Sequence, residues 1–393
     1  MEHIKCPTCE SFNIKNFGRR RTIKTQQNKY ILFCLDCGHS FSLDELNDYP
    51  IKEKIKEINY KQDWTAYNLA KTKEKTLFLE ILSELLNQIP YTPQKKVGKP
   101  SMNLKEIIFC NAIKAYDNHS ARRVIADIKL CNAKGYINWE WHFNTILKGL
   151  NKQELTGLLK QLILLSALPL KEIEDQFGSQ FAVDSTGFSN KIYSSWHHTK
   201  WETKEKHAGW LKAHIIIGTK TNTVTDVKVT LGTANDSPLL PELVFRTSAY
   251  FNVLEVSADK GYLSETNLQA IESIGATPFI PFKSLNKNTT SKSGIWKKMF
   301  KLYFFNSEQF KEHYHRRSNV ESTFSAIKGK FGGSLKSKSF VGQTNEVLLK
   351  VLCHNICCLI QEMYETGVDG LVAQEISNFC TQTLATAHKL QKY

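Results

Sequence analysis

The sequence contains no stretch approaching the roughly 18 apolar residues that a membrane-spanning helix needs. Its opening residues, MEHIKCPTCE, also lack the apolar core of a signal peptide. The expectation is therefore a soluble, intracellular protein. There is no internal repeat and no low-complexity tract, which sets repeat architectures aside. Acidic residues are in deficit: 38 Asp+Glu against 52 Lys+Arg leave a formal charge of +14 and a pI near 9.1. Such a balance favours a polyanionic partner, bound by neutralising phosphates and releasing their counterions.

At 393 residues and 45.0 kDa the chain is long enough for two or three domains, one of them an enzyme-sized α/β unit. Ten cysteines in a reducing compartment call for metal binding, chemistry or packing as their reason. Four are paired by spacing. Cys6 and Cys9 form one knuckle and Cys34 and Cys37 the other, with a Lys/Arg-rich stretch and short β-like runs between them. Two such pairs can place four thiolates tetrahedrally around one Zn²⁺, and a segment this short buries too little apolar surface to fold without the ion. Residues 1–45 thus read as a zinc ribbon, four unrelated thiols being the alternative. The ribbon either meets DNA through Arg19, Arg20, Arg21 and Lys24 or braces a protein contact. The remaining cysteines, Cys110, Cys131, Cys353, Cys357, Cys358 and Cys380, lie in apolar helical patterns and read as small core residues.

Residues 46–177 read as a helical segment that binds DNA or links the ribbon to the strand-rich region beyond it. Helical spacing runs over about 65–90, a linker-like PYTPQKKVGKP comes next, and a second helical block spans about 103–170. Within that block, HSARRVIADIKLCNAKGYI suggests two helices around a short turn, opened by Ser120 as N-cap and carrying Arg122, Arg123 and Lys129. This is either a DNA-reading pair or a packing unit.

At about 178 the pattern changes to strands: QFAVDST, LKAHIIIG, TVTDVKVTL and VLEVSAD, then a helix SETNLQAIESIG and a short strand TPFIPF. Three strands in meander, then parallel strand and helix alternation, then a long helix, predict a mixed α/β sheet over residues 178–365, with a helical tail over 366–393. Asp184 is expected to close its strand and Asp259 comes directly after VSA, so both carboxylates should collect at strand ends, where ligands of α/β sheets bind. Taken singly, each is as well explained as a turn former.

The third acid, Glu321, lies in YHRRSNVESTFSAIKG, read as one helix. At about 100° per residue, Tyr314, Arg317, Glu321 and Lys328 share a stripe about 60° wide, beside an apolar stripe of Val320, Phe324 and Ile327. The plainer reading is a solvated face with an Arg317–Glu321 ion pair. Three carboxylates suit Mg²⁺ or Mn²⁺, and two ions about 3.5–4 Å apart can activate a water and neutralise a leaving oxygen in phosphodiester cleavage. No catalytic histidine is then required, although His197, His198, His207 and His214 are close in sequence.

Asp184 in FAVDSTGF, Asp259 in SADKGY, and Tyr314, Arg317, Glu321 and Lys328 at their spacing resemble the DDE transposases of prokaryotic insertion sequences that carry the YREK signature. The resemblance runs over roughly 180–360 and includes GTANDSP and LCHNI. It implies a ribonuclease-H-like catalytic domain in which Asp184, Asp259 and Glu321 ligate two Mg²⁺ (or Mn²⁺) ions, while Tyr314, Arg317 and Lys328 hold phosphates of the transposon end. It further implies cleavage at transposon ends, 3′-OH strand transfer into target double-stranded DNA, a homodimer or higher assembly on paired ends, and a cytoplasmic, nucleoid-associated location. Replacing Arg317 or Lys328 should weaken DNA positioning and leave metal affinity largely intact.

Other readings remain beside this one. Asp236 in AsnAspSer competes with Asp259 as second ligand or forms a turn. Trp196, Trp201 and Trp210 either stack on unpaired bases or pack between strands. Lys283, Lys287, Lys292, Lys297, Lys298 and Lys301 either track flanking DNA or form a solvated loop. At the level of function, the alternatives are a catalytically silent regulator derived from a transposase and a metal-dependent nuclease without strand transfer.

Overall fold

A computed structural model describes residues 14–21, 28–34, 36, 40–42, 63–91, 102–190, 209–283 and 293–368. The N-terminal strands β1 (Ile14–Arg21), β2 (Asn28–Cys34) and β3 (Ser40–Ser42) form an antiparallel sheet in the order β1-β2-β3. Cys34 closes β2 opposite Ile14, while Cys6, Cys9 and Cys37 lie outside the described residues.

Among the described residues, six α-helices come next. They are α1 (Trp64–Gln88), α2 (Leu104–Tyr116), α3 (Ile125–Ala133), α4 (Phe143–Leu150), α5 (Gln153–Ala167) and α6 (Lys171–Gln176). Asp63 starts α1 by accepting the N–H groups of Thr65 and Ala66 at 2.9 and 3.0 Å, and Asn103 caps α2 through the N–H of Lys105. The expected pair of helices around a turn near 119–137 is one helix. Ser120 opens a turn that leads into α3, and the chain then runs without helix from Gly135 to His142. Gly135, at φ +81°, takes the left-handed conformation that ends α3.

The central sheet holds β4 (Gln180–Ser189), β5 (Trp210–Gly218), β6 (Val224–Leu231), β7 (Glu255–Ala258) and β8 (Thr277–Phe279) in the order β6-β5-β4-β7-β8. The β4, β5 and β6 meander is antiparallel, and β7 and β8 add to β4 in parallel. Between and after these strands come α7 (Leu240–Ser248), α8 (Glu265–Ser273), α9 (Gly294–Phe305), α10 (Ser307–Tyr314), α11 (Ser318–Phe331) and α12 (Phe340–Glu365). The expected mixed α/β sheet is present.

Alternation along the strands divides the interior in two. Phe181 and Val183 of β4 and Val256 and Ala258 of β7 pack with α7, α8, α9 and α10, whereas Ala182 and Phe188 of β4 face α1, α2, α5, α11 and α12. The second cluster runs from Ala70 of α1 to Ile360 of α12, so the helical segment and one face of the sheet share a core. Among the described residues, α12 is the helix long and apolar enough to cross a membrane by length and composition, and 78% of its most apolar window is buried inside this fold. Cys110, Cys131, Cys353 and Cys357 are buried in the same core, as their apolar patterns predict. Cys358 is half-buried, and Cys380 lies outside the described residues.

Candidate active site

Asp184 does not close its strand. It is the fifth of ten residues in β4, which continues to Ser189 because β5 pairs with it as far as Ser189 opposite Trp210. Its parallel neighbour β7 stops earlier, and the last parallel pair is Val183 with Ala258. Asp184 and Asp259 are therefore the next residue on each of two adjacent strands, one where pairing ends and one where the chain leaves the sheet. Asp259 opens a tight turn, Lys260–Tyr262, and accepts the N–H of Gly261 at 3.4 Å.

The helix expected across Tyr314–Lys328 is broken. α10 ends at Tyr314, a 3₁₀ turn covers His315–Arg317, and α11 begins at Ser318. The two helices answer to different anchors. The His313 ring stacks on Phe279 with centroids 4.6 Å apart and its Nδ1 lies 2.9 Å from Glu255, which fixes α10 against β7 and β8. Val320, Phe324 and Ile327 are buried on the other side of the sheet and fix α11, as the apolar stripe predicts. Glu321 falls in the first turn of α11 with its side chain 56% exposed, so it faces solvent at the sheet's end.

Arg317 joins the acids. Its Nη1 donates to Asp184 Oδ2 at 2.9 Å and its Nη2 to Glu321 Oε1, so one guanidinium spans a strand carboxylate and a helix carboxylate. The Tyr314 ring lies beside it, 5.9 Å from centroid to guanidinium carbon, and itself stacks on Phe310. Lys328, two turns further along α11, donates to Thr186 Oγ1 at 2.6 Å and lies over the Phe188 ring. Asp184, Thr186 and Phe188 alternate onto one face of β4, so Arg317 from the 3₁₀ turn and Lys328 from α11 lie along that face.

Burial raises the Asp184 carboxyl above the usual carboxylate range. The Ser185 N–H, donated at 2.8 Å, and the charge of Arg317 pull it back down, while Asp259 and Glu321 push it up. Asp259 and Glu321 are thus each within electrostatic reach of Asp184. Burial likewise raises the Tyr314 phenol and lowers the Lys328 ammonium. Asp184, Asp259 and Glu321 offer the hard oxygen donors that Mg²⁺ or Mn²⁺ prefers, and Arg317 is the cation that two of them share.

Asp236 is engaged on the reverse face of β4. It accepts Ser185 Oγ at 2.9 Å and Lys212 Nζ at 2.7 Å, next to a fully buried His214 whose Nε2 lies 2.9 Å from Thr230 Oγ1. Burial lowers the His214 pKa to about 4, so the ring is neutral and packs rather than titrates near neutral pH. Trp210 packs its indole against Gly187 and Gly232, where a Cβ would collide with the ring, and stays 38% exposed. Trp196, Trp201, His197, His198 and His207 lie outside the described residues, as do Lys287 and Lys292. Lys297, Lys298 and Lys301 are not in a loop. They lie on α9, whose Ile295, Trp296 and Met299 are buried.

Two contacts at the candidate site were missed in the sequence. The bridge from Arg317 to Asp184 crosses 133 positions and leaves no local trace. Thr186 as the partner of Lys328 carried a weak signal, because a hydroxyl two residues after Asp184 must share its strand face.

Residues 175–356 match the family described as the transposase DDE domain, a span that contains all three acids together with Tyr314, Arg317 and Lys328. Among solved structures, the chain is similar to the piggyBac transposase synaptic complex with hairpin DNA, with 10% identity over 81% of this chain and 80% of that one at a TM-score of 0.36.

Proposed function

We infer from its transposase DDE domain, residues 175–356, that this protein is a transposase that cuts DNA at transposon ends and joins the freed ends to target DNA. The observation that carries the reading is that Arg317 spans Asp184 of β4 and Glu321 at the start of α11, while Asp259, the residue after β7, adds its charge to the same Asp184 carboxyl. The ribonuclease-H-like assignment is supported by a five-stranded sheet with three antiparallel and two parallel members, an acid on the central strand, an acid after its parallel neighbour, and an acid on a helix packed across that strand.

Asp184, Asp259 and Glu321 would hold two Mg²⁺ or Mn²⁺ ions, which supply an activated water and neutralise charge on the leaving oxygen. The protein's own part is positioning. Arg317 and Lys328 offer charge-assisted hydrogen bonds to phosphate oxygens, and Tyr314 supports the guanidinium from the side. In the first step water attacks phosphorus, the bond to the 3′ oxygen breaks, and a 3′-OH and a 5′-phosphate result. In the second that 3′-OH attacks a target phosphodiester and displaces the target's own 3′ oxygen, so both steps are in-line displacements that one site can serve.

Double-stranded DNA is the partner that the +14 charge suits, and pairing of two ends calls for a homodimer or higher assembly. In the N-terminal sheet, Cys34 with Cys6, Cys9 and Cys37 would bind one structural Zn²⁺, which a Cys34→Ser, Cys37→Ser variant should lose in a metal-content assay. The catalytic reading is tested by Mg²⁺-dependent cleavage of DNA carrying the element's ends. Asp184→Asn, Asp259→Asn and Glu321→Gln should each abolish it, and full activity in any one of them would reject the assignment.

A further inference from the structure

The Arg317 guanidinium occupies the place where charge compensation is needed most. Its two terminal nitrogens engage different carboxylates, Nη1 on Asp184 Oδ2 at 2.9 Å and Nη2 on Glu321 Oε1. These are lone pairs that a cation bridging the two acids would use. The Arg317 and Asp184 side chains are 19% and 20% exposed, so the contact is shielded from water far better than a surface pair would be. Asp184 keeps its other oxygen on the Ser185 N–H, which leaves Oδ2 as the oxygen facing the helix.

We propose that Arg317 is the site's internal counter-cation, competing with divalent ions for Asp184 and Glu321, so that ion binding and release of the guanidinium toward a DNA phosphate are coupled. The proposal rests on the metal-binding reading above. A guanidinium beside a dication is repelled at short range in a partly desolvated site. Arg317 therefore has to leave the shared oxygens when ions are held there. A position close at hand can receive it: the 3₁₀ turn His315–Arg317 lies between two helices, and the Tyr314 ring beside the guanidinium offers a cation–π surface.

Displaced from the acids, the fork has five donors and no acceptor, and a phosphate is the ligand that satisfies it. Ion binding and DNA binding then favour each other, and by linkage the factor is the same in both directions. Without ions Arg317 stays neutralised by its own protein and is withheld from DNA. This revises the expectation that removing Arg317 leaves metal affinity intact.

Mn²⁺ affinity, followed by electron paramagnetic resonance on the full chain without DNA, separates competition from its alternatives. Arg317→Ala should bind Mn²⁺ about tenfold more tightly than wild type, a change of about 1.4 kcal/mol. Arg317→Lys keeps the charge but ends in a single ammonium that cannot span two carboxylates, and it should bind about threefold more tightly. A Ca²⁺-induced gain in affinity for end DNA, measured by fluorescence anisotropy, should be present in wild type and absent in Arg317→Ala.

Mn²⁺ affinity that is unchanged or weaker in Arg317→Ala overturns the proposal, because Arg317 then orients the acids or leaves them alone. Arg317→Lys indistinguishable from wild type also overturns it, since the effect is then one of net charge. Failure of the underlying reading looks different. In that case Asp184→Asn leaves Mn²⁺ binding untouched while its circular dichroism matches wild type.

Discussion

Among the described residues, the hydrogen-bond partner of Lys328 is the neutral Thr186 hydroxyl, and burial already lowers its pKa, so a phosphate oxygen would improve on its present contact. Lys328→Met keeps much of the packing over Phe188 and removes the charge. It should weaken end-DNA binding about tenfold at low salt and flatten the slope of log affinity against log salt by about one unit, read by anisotropy at several salt concentrations. Glu362 of α12 makes a separate prediction. It is 8% exposed, its Oε2 has no hydrogen-bond partner among the described residues, and burial raises its pKa to about 7, with Lys220 opposing and Glu365 and Glu174 adding to the rise. Because the folded pKa lies above the unfolded one, the stabilising contribution is complete below the unfolded value of 4.5 and is lost as pH rises through about 7. Glu362→Gln should match wild type in urea unfolding near pH 4 and exceed it by about 2–3 kcal/mol near pH 8.

α12 is tied to the sheet by one side-chain amide. Asn355 is fully buried and treats Val224 of β6 as a strand partner, accepting its N–H at 2.9 Å and donating to its carbonyl at 2.8 Å, with further bonds to Ile163 O and Ser166 Oγ of α5. Asn355→Ala strands several buried polar groups and should lower stability by about 2–4 kcal/mol, seen as a lower midpoint in denaturant with an unchanged slope. A similar joint sits at the β5–β6 turn, where the Glu174 carboxylate accepts the N–H of Thr221 at 2.8 Å and packs against Gly218 too closely for any Cβ there.

The elements differ in how plainly the sequence announced them. β4, β5, β6 and β7 were legible because apolar runs of strand length are bounded by turn residues, and α8 because Ser264 caps it. α7 was not, since Leu240–Ser248 is short and opens on a proline-bearing turn. The break between α10 and α11 was illegible for a tertiary reason: His315, Arg316 and Arg317 are compatible with helix, and the bend comes from His313 docking on Glu255 and Phe279 while α11 docks on β4. The Arg317–Glu321 pair was readable at i,i+4, but the reach to Asp184 required the folded sheet.

Among the described residues, α1, α2, α5 and α12 build a core against the same sheet face that α11 uses, so these helices support the candidate site from behind rather than standing apart from it. Asp184 and Asp259 are set by strand pairing, and Glu321 by a helix held between that core and β4. The geometry of the three acids thus depends on long-range packing, and the charges of Asp259 and Glu321 act on Asp184 against the pull of Arg317. The most direct test is to incubate the purified protein with Mg²⁺ and a plasmid carrying its gene with flanking DNA, then map new 3′-OH ends. Wild type should produce ends at both borders of the element, and Asp184→Asn, Asp259→Asn and Glu321→Gln should each lower the rate by about 10³-fold or more while keeping the wild-type circular dichroism. Border cleavage at the wild-type rate in any of the three variants would contradict the account.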